Sequence, residues 1–283
     1  MFKKNILAIL VATLFSQASM AQNFGGDIWD SLNIFVPKHK DIMTTIGEPN
    51  RSKLDPDNIK ILVWNMYKGQ NESWKKDFKF LAEERDILLL QEMYLDEKMM
   101  SSFEEDSDHE YHLATSFIYR KGQIRTGVTS ASKIKASSLF YQQSVVREPV
   151  INTPKMVLFT TYPIAGSDKD LLTINIHAIN FVSTEGLARQ IKDVEEVMKT
   201  YDGPVVFAGD FNTWSPGKFN FVRMMAVRNN LKEVKFKNDQ RMMKFGFPLD
   251  YVFYRGLELK SEAVWGELEG ADHKAMEVVF KVN

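Results

Sequence analysis

The 283-residue chain contains no cysteine. Disulfides, a cysteine nucleophile, a thiolate zinc site and an iron–sulfur cluster are all excluded, so stability must rest on a core large enough to do without cross-links. Internal repeats, low-complexity tracts and long Pro/Gly/Ser linkers are also missing. A one-sided charge is lacking too: 36 basic residues against 37 acidic ones give a formal net charge of −1, which is not the footprint of a tight general DNA binder. Such a balance still permits an enzyme with a local basic rim, which should release its product. Long apolar runs are almost absent. Ile6 to Phe15, interrupted by Thr13, is too short to span a bilayer, which takes about 20 residues. It follows Lys3 and Lys4 and precedes the small residues of Ser19-Met20-Ala21, which together read as a signal peptide over 1–21. A retained anchor is the alternative. Cleavage after Ala21 would leave 262 of the 283 residues, with formal charge −3, in the periplasm or secreted.

Residues 22–58 form a mixed polar lead-in that ends at Asp55-Pro56-Asp57. Beyond it the pattern becomes regular. Runs of strand length are Ile59 to Trp64, Asp86 to Gln91, Gly127 to Ser132, Met156 to Tyr162, Leu171 to Ile176, Val205 to Ala208, Tyr251 to Tyr254 and Ala275 to Phe280. Helical spacing predicts helices over Trp74 to Glu84, Thr184 to Thr200 and Pro216 to Asn230, the last burying Phe219, Val222, Met224 and Met225. Many short strands with few helices predict two packed sheets flanked by helices rather than a doubly wound parallel sheet. His109 and His112 lie in an acidic stretch expected to be a loop.

Several strands end in residues that carry chemistry: Trp64-Asn65, Gln91-Glu92, Ile176-His177 and Gly209-Asp210-Phe211-Asn212. Asp250 opens a further strand, and Asp272-His273 precedes the last one. Each alone has a plain reading. A Gly-Asp-x-Asn turn is ordinary turn chemistry, a lone Glu is a surface acid, and a lone His is a satisfied core residue. The ordered set of six is what carries weight. Carboxylates, amides and imidazoles at strand ends can converge on one rim, and oxygen-rich sites of this sort suit a hard cation such as Mg²⁺, with Mn²⁺ or Ca²⁺ as substitutes.

This order of motifs resembles the endonuclease/exonuclease/phosphatase superfamily from about Ile59 to the C-terminus. Gly209-Asp210-Phe211-Asn212-Thr213-Trp214-Ser215 with Pro248-Leu249-Asp250-Tyr251-Val252 is similar to a poorly characterised exported bacterial branch. The resemblance implies a DNase I-like α/β fold, a four-layer α/β/β/α sandwich over 59–283. It implies Glu92 as principal metal ligand with Asn65 and Asp272 beside it. Asp210 would orient or deprotonate the attacking water, and Asn212 would hold that water or a phosphate oxygen. His273, paired with Asp250, would touch the scissile phosphate, and His177 would bind it from a second side. Arg147, in Arg147-Glu148-Pro149, resembles an arginine that reaches a phosphate, and Lys155 is a weaker candidate of the same kind. Two departures stand out. Tyr67 replaces the acid of the abasic-site branch, which argues against that subtype, and Ala271 stands where a Ser often precedes Asp-His.

The resemblance implies a metal-dependent phosphodiester hydrolase. A nucleic acid is the first expectation for substrate, because Arg223, Arg228, Lys232, Lys235, Lys237, Arg241 and Lys244 are interleaved with Phe236, Phe245 and Phe247. A solvated helix face is the plain alternative. A phospholipid or sphingolipid head group is the second expectation, although no exposed apolar hairpin for docking is evident. A third is a binding scaffold with a decayed site, disfavoured because every motif residue is present. Nothing implies a stable protein partner, and a monomer is expected.

Overall fold

A computed structural model of the chain describes residues 33–149 and 151–283. The signal-like segment at 1–21 lies outside them. In chain order the first six strands are β1 (Ile34–Phe35), β2 (Met43–Ile46), β3 (Ile59–Asn65), β4 (Ile87–Tyr94), β5 (Glu110–Tyr119) and β6 (Ile124–Ser132). Then come β7 (Ser138–Gln143), β8 (Met156–Tyr162), β9 (Leu171–His177), β10 (Val205–Asp210) and β11 (Lys232–Glu233). A small hairpin, β12 (Met243–Lys244) and β13 (Phe247–Pro248), precedes β14 (Asp250–Arg255), β15 (Leu257–Val264) and β16 (Met276–Val282). The helices are α1 (Trp74–Glu83), α2 (Glu97–Glu104), α3 (Thr184–Thr200) and α4 (Pro216–Arg228).

One sheet has the order β1-β5-β6-β4-β3-β16-β15, with β2 also on β5, and the other β11-β14-β10-β9-β8-β7. Strand alternation explains how they stack, because successive side chains point to opposite faces. Ile59, Ile61, Val63, Ile87 and Leu89 from the first sheet meet Val206, Ala208, Val252 and Tyr254 from the second in a common core. The opposite face of the first sheet, with Leu62, Leu88 and Leu90, is covered by Trp74, Phe78 and Leu81 of α1 and Met99 and Phe103 of α2. Leu172, Ile174, Ile176 and Phe207 face Leu187, Ile191, Val194 and Met198 of α3 and Val222 and Met225 of α4. The result is the expected α/β/β/α sandwich.

Capping sets the start of each outer helix on the second sheet. Ser183 accepts from Gly186 N and Ser215 accepts from Lys218 N, with Pro216 at the first helical turn of α4. Among the described residues no helix is long and apolar enough to cross a membrane.

Some expectations change. Residues 34–46 are not a separate lead-in, since β1 and β2 both pair with β5, and Leu54 is fully buried in the inter-sheet core. His112 lies in β5 rather than a loop. His109 does sit in a loop but is buried, held by Asp106 at 2.8 Å and by the Arg85 carbonyl at 3.0 Å. Met224 is exposed rather than buried, because the stripe of α4 that meets the sheet runs through Val222 and Met225. Strands β5, β7 and β15 and helix α2 were not foreseen: β7 and β15 lie at sheet edges and bury no continuous face, so no clean period marks them.

Candidate active site

The site is built from strand ends. In the second sheet the register pairs Asp210 with His177 on parallel β9 and with Asp250 on antiparallel β14. These three residues therefore form one row across adjacent strands, pointing toward the first sheet like Ala208 and Val252 below them. In the first sheet Asn65 pairs with Gln91 across parallel β3 and β4, and Val63 pairs with Met276, so Asp272 and His273 enter the same rim just before β16. All of the expected catalytic and metal-binding residues thus meet at one end of the sandwich. Arg147 does not share that burial: it is exposed, and its guanidinium donates to the Asn152 carbonyl at 3.3 Å.

Glu92 reaches the site only because its strand is irregular. Leu88 and Leu90 face the helical layer, and simple alternation would send Glu92 after them. The pairing of β4 with β6 shifts between Leu90 and Met93, and Glu92 adopts φ +55°. This bulge re-aims the carboxylate toward the sandwich end, where Asn65 Nδ2 donates to Glu92 Oε1 at 3.3 Å. A left-handed backbone at a non-glycine residue costs of order 1–3 kcal/mol, a cost found concentrated at functional sites. Asn212 likewise sits at φ +51°, which asparagine tolerates. Gly209, at φ +134°, has no alternative: a Cβ there would lie 2.1 Å from the Ile176 carbonyl oxygen of β9.

The hydrogen bonds order these groups. Asn65 Nδ2 also donates to Asp210 Oδ2 at 3.1 Å, while its Oδ1 accepts from Tyr67 N at 3.1 Å. In this orientation Asn65 braces the two carboxylates. Asp210 Oδ1 accepts from Asn212 N at 2.9 Å, and Asn212 Nδ2 donates to the Ala178 carbonyl at 3.0 Å, tying the ends of β9 and β10 together. His273 Nδ1 lies 2.7 Å from Asp250 Oδ2, and the Trp64 indole donates to the His273 carbonyl at 3.1 Å. His177 Nε2 stands 3.6 Å from Asp210 Oδ2.

Burial and charge set the protonation states. Burial raises the Asp210 carboxyl, the Asp250 carboxylate raises it further, and it is pushed up to about 7. Burial alone would lower His273, but the Asp250 carboxylate in contact with it dominates and pushes it up to about 10. Burial, with Lys155, His273 and Lys68 nearby, holds His177 well below the usual imidazole range, so it is neutral at neutral pH. Asp272 is held above the usual carboxylate range by desolvation and by Glu92.

Two carboxylate groupings at the rim fit a cation. Donor atoms of Asp210, Asp250 and His273 lie within 4.8 Å of one another, and Asp250 Oδ1 is buried without a hydrogen-bond partner. Glu92 and Asp272 repel each other across the mouth, the mutual repulsion a divalent cation relieves. His273 is committed to Asp250, whereas the Glu92 side offers oxygen donors alone.

The sequence pattern of the Endonuclease/Exonuclease/phosphatase family matches residues 62–273, a span running from β3 to His273 itself. The chain belongs to this family. It is 34% identical over 97% of its length to a UPF0294 protein of Vibrio campbellii, of which 92% is covered. Its fold is similar to an endonuclease/exonuclease/phosphatase family protein from Leptotrichia buccalis, with TM-score 0.61 and 18% identity, covering 80% of this chain and 99% of that one. It is similar also to the human Nocturnin catalytic domain with bound sulfate anion, with TM-score 0.59 and 16% identity, covering 83% of this chain and all of the other.

Around the family core lie residues that carried no sequence signal. Lys68, three positions after Asn65, points at Tyr119 (Nζ to OH 3.2 Å) in the field of Glu92, and its ammonium is held above its usual range despite burial. Lys155, which the sequence did single out beside Arg147, is within 3.4 Å of buried Glu148. Gln190 of α3 donates to the His177 carbonyl and accepts from Ile179 N, fixing the exit of β9. Below the rim, Gln91 Nε2 donates to Asn175 Oδ1 at 2.7 Å, and Asn175 Nδ2 donates to the Thr129 carbonyl at 2.9 Å, joining the two sheets. Asn175→Leu should therefore destabilise the fold by roughly 2–4 kcal/mol, since Gln91 and the Thr129 and Leu90 carbonyls lose their buried acceptor or donor. Urea unfolding checks this, and an unchanged midpoint would show the amide buckle to be dispensable.

In the basic and aromatic stretch from Arg223 to Phe247, Phe236 and Arg241 are buried, whereas Arg223, Arg228, Lys232, Lys235, Lys237 and Phe245 are exposed. Arg241 is buried, paired with Asp239, and donates to the Asp250 carbonyl at 2.7 Å, so it anchors the start of β14. Arg228 binds Glu195, Lys235 and Arg223 lie by Glu233, and Phe236 is in the inter-sheet core. The β12–β13 hairpin departs from expectation in the other direction: Phe245 is 75% exposed and Met243 50%, an apolar tip that the sequence did not reveal.

Proposed function

We propose that the protein is an exported, divalent-metal-dependent phosphodiester hydrolase that cleaves nucleic acid. The observation that carries the hydrolytic reading is the convergence of Glu92, Asp210 and the Asp250–His273 pair on one rim, with Glu92 brought there by a strained bulge. A cation held by Glu92, with Asp272 and Asn65 beside it, would neutralise charge on the phosphate and so assist attack. Asp210, near half-ionised at neutral pH, receives the proton of the attacking water, which Asn212 helps hold. Cationic His273, oriented by Asp250, stabilises the negative charge that grows on the phosphoryl oxygens, and neutral His177 donates an N–H to the same group. Arg147 is exposed and would have to leave the Asn152 carbonyl to reach a flanking phosphate. Export rests on the Lys3–Ala21 pattern.

A lipid head group is the second reading, and the exposed tip of the β12–β13 hairpin favours it. The test is a panel of plasmid DNA, RNA, sphingomyelin vesicles and bis(p-nitrophenyl) phosphate, each with Mg²⁺ and with excess chelator. Cleavage of nucleic acid and of the small diester that stops in chelator is expected. Full activity of metal-stripped protein would overturn the metal dependence, and vesicle hydrolysis alone would overturn the nuclease reading.

A further inference from the structure

Trp214 lies two residues beyond Asn212, so its Cα is within about 7 Å of that residue's by chain geometry. Its indole N–H is fixed to Asn180 Oδ1 at 2.7 Å, and Asn180 follows His177 by three positions. The ring is thus held jointly by the loops that leave β9 and β10. Two phenylalanines flank it. Phe181 is 6.3 Å away, tilted by 45°, and Phe245 of the hairpin is 6.5 Å away, edge-on at 66°. Phe181 is 37% exposed and takes φ +54°, a left-handed backbone at a bulky residue. The Lys218 ammonium stands 4.7 Å from the indole centre. That residue is only 1% exposed, and its Nζ has no hydrogen-bond partner.

We infer that Trp214, walled by Phe181 and Phe245 and backed by Lys218, is a stacking platform for a nucleobase next to the scissile phosphate. The inference rests on the phosphodiesterase reading and narrows its substrate to nucleic acid strands with an unpaired base. Three observations favour a base over a bilayer. A ring fixed by an edge hydrogen bond and touched on one side by a cation can offer a flat face, but it cannot extend into lipid as an unrestrained side chain does. The tilted phenylalanines make walls of a slot rather than a coplanar apolar patch. The ammonium draws on the indole's negative face, which lessens repulsion against the π-face of an incoming base. Lys244, next to Phe245, adds positive charge suited to the strand's backbone. A base and its own phosphate are one sugar apart, which matches a platform two residues from Asn212.

The test separates bases from charge. Binding of an oligothymidylate octamer and of an octamer of the same backbone lacking bases is measured by fluorescence anisotropy with the full chain in chelator, so that no cleavage intervenes. The base-bearing strand is expected to bind about tenfold more tightly or better. Trp214→Ala should bring that ratio close to one, Phe245→Ala should reduce it part-way, and Trp214→Phe should restore most of it. Equal binding of the two strands by the unaltered protein overturns the proposal, as does an equal fall for both in Trp214→Ala. Binding to neutral phosphatidylcholine vesicles that Phe245→Ala abolishes, with the octamer ratio unmoved, overturns it in favour of lipid docking. Hydrolysis of bis(p-nitrophenyl) phosphate is followed in the same preparations with Mg²⁺. If it persists while the base preference is absent, the platform falls and the phosphodiesterase reading stands. If it is absent while the base preference holds, the converse is true.

Discussion

Glu92→Gln should lower turnover of bis(p-nitrophenyl) phosphate and of nucleic acid by on the order of 10²–10³-fold. The substitution keeps the size of the side chain and its hydrogen bond with Asn65 but removes the charge. In the proposed site glutamine therefore leaves Asp272 and Asn65 without their strongest partner for the cation. The half-saturating Mg²⁺ concentration should rise along with the loss of rate. The fold should be intact, because Glu92 sits at the rim rather than in a hydrophobic core, and relief of repulsion against Asp272 offsets the lost interactions. Steady-state kinetics across a metal titration read both effects. Wild-type turnover, with an unchanged metal requirement, would remove Glu92 from the site.

Asp250→Asn should have the second largest effect, centred on the alkaline side of the pH–rate profile. In the native protein the Asp250 carboxylate outweighs burial and keeps the His273 imidazole cationic up to about pH 10. With asparagine in its place burial favours the neutral ring, opposed only by the lesser pull of the Asp210 and Asp272 carboxylates. The alkaline limb should move down toward neutrality, and the rate at pH 8 to 9 should fall by about 10²-fold or more. The His273→Ala and Asp250→Asn losses should be far from additive, because one residue acts through the other. Additive losses in the double-mutant cycle would separate the pair. The same contact sets a stability dependence. Since the folded-state value for His273 is raised above that of the free imidazole, its stabilisation is complete below about pH 6.5 and is lost as the pH rises through about 10. Thermal melts should show that decline in the native protein and lose it in Asp250→Asn.

Strand ends with a chemical residue after an apolar run were legible because two physical habits coincide there. Buried strands are near-continuous in Val, Ile, Leu and Phe, and a polar residue ends them where the chain reaches solvent. Asn65, His177 and Asp210 follow such runs directly, and the sheet register then sets them in line. Gly209 was legible only as a turn residue, whereas its true constraint is the carbonyl of Ile176 on the neighbouring strand. Lys68 and Lys218 had no signal, since a lysine in a loop or on a helix looks solvated until the packing around it is known. Arg241 misled for the same reason: it reads as surface charge, but its guanidinium lies over Phe236 and Tyr251 and holds the backbone of Asp250.

The sequence by itself determined the layered class, the strand set from Ile59 onward and the six motif positions, because local periodicity and residue chemistry are properties of neighbours along the chain. The tertiary structure alone decided how Glu92 faces. Alternation along β4 directs it to the helical layer, and only pairing with β6 creates the bulge that turns it inward. It alone decided that residues 34–46 complete the first sheet, and that Trp214 contacts Phe181 and Phe245. These are contacts between residues 30 or more positions apart. A pattern of period two or 3.6 holds no information about them, because they depend on which faces meet once the sheets are stacked.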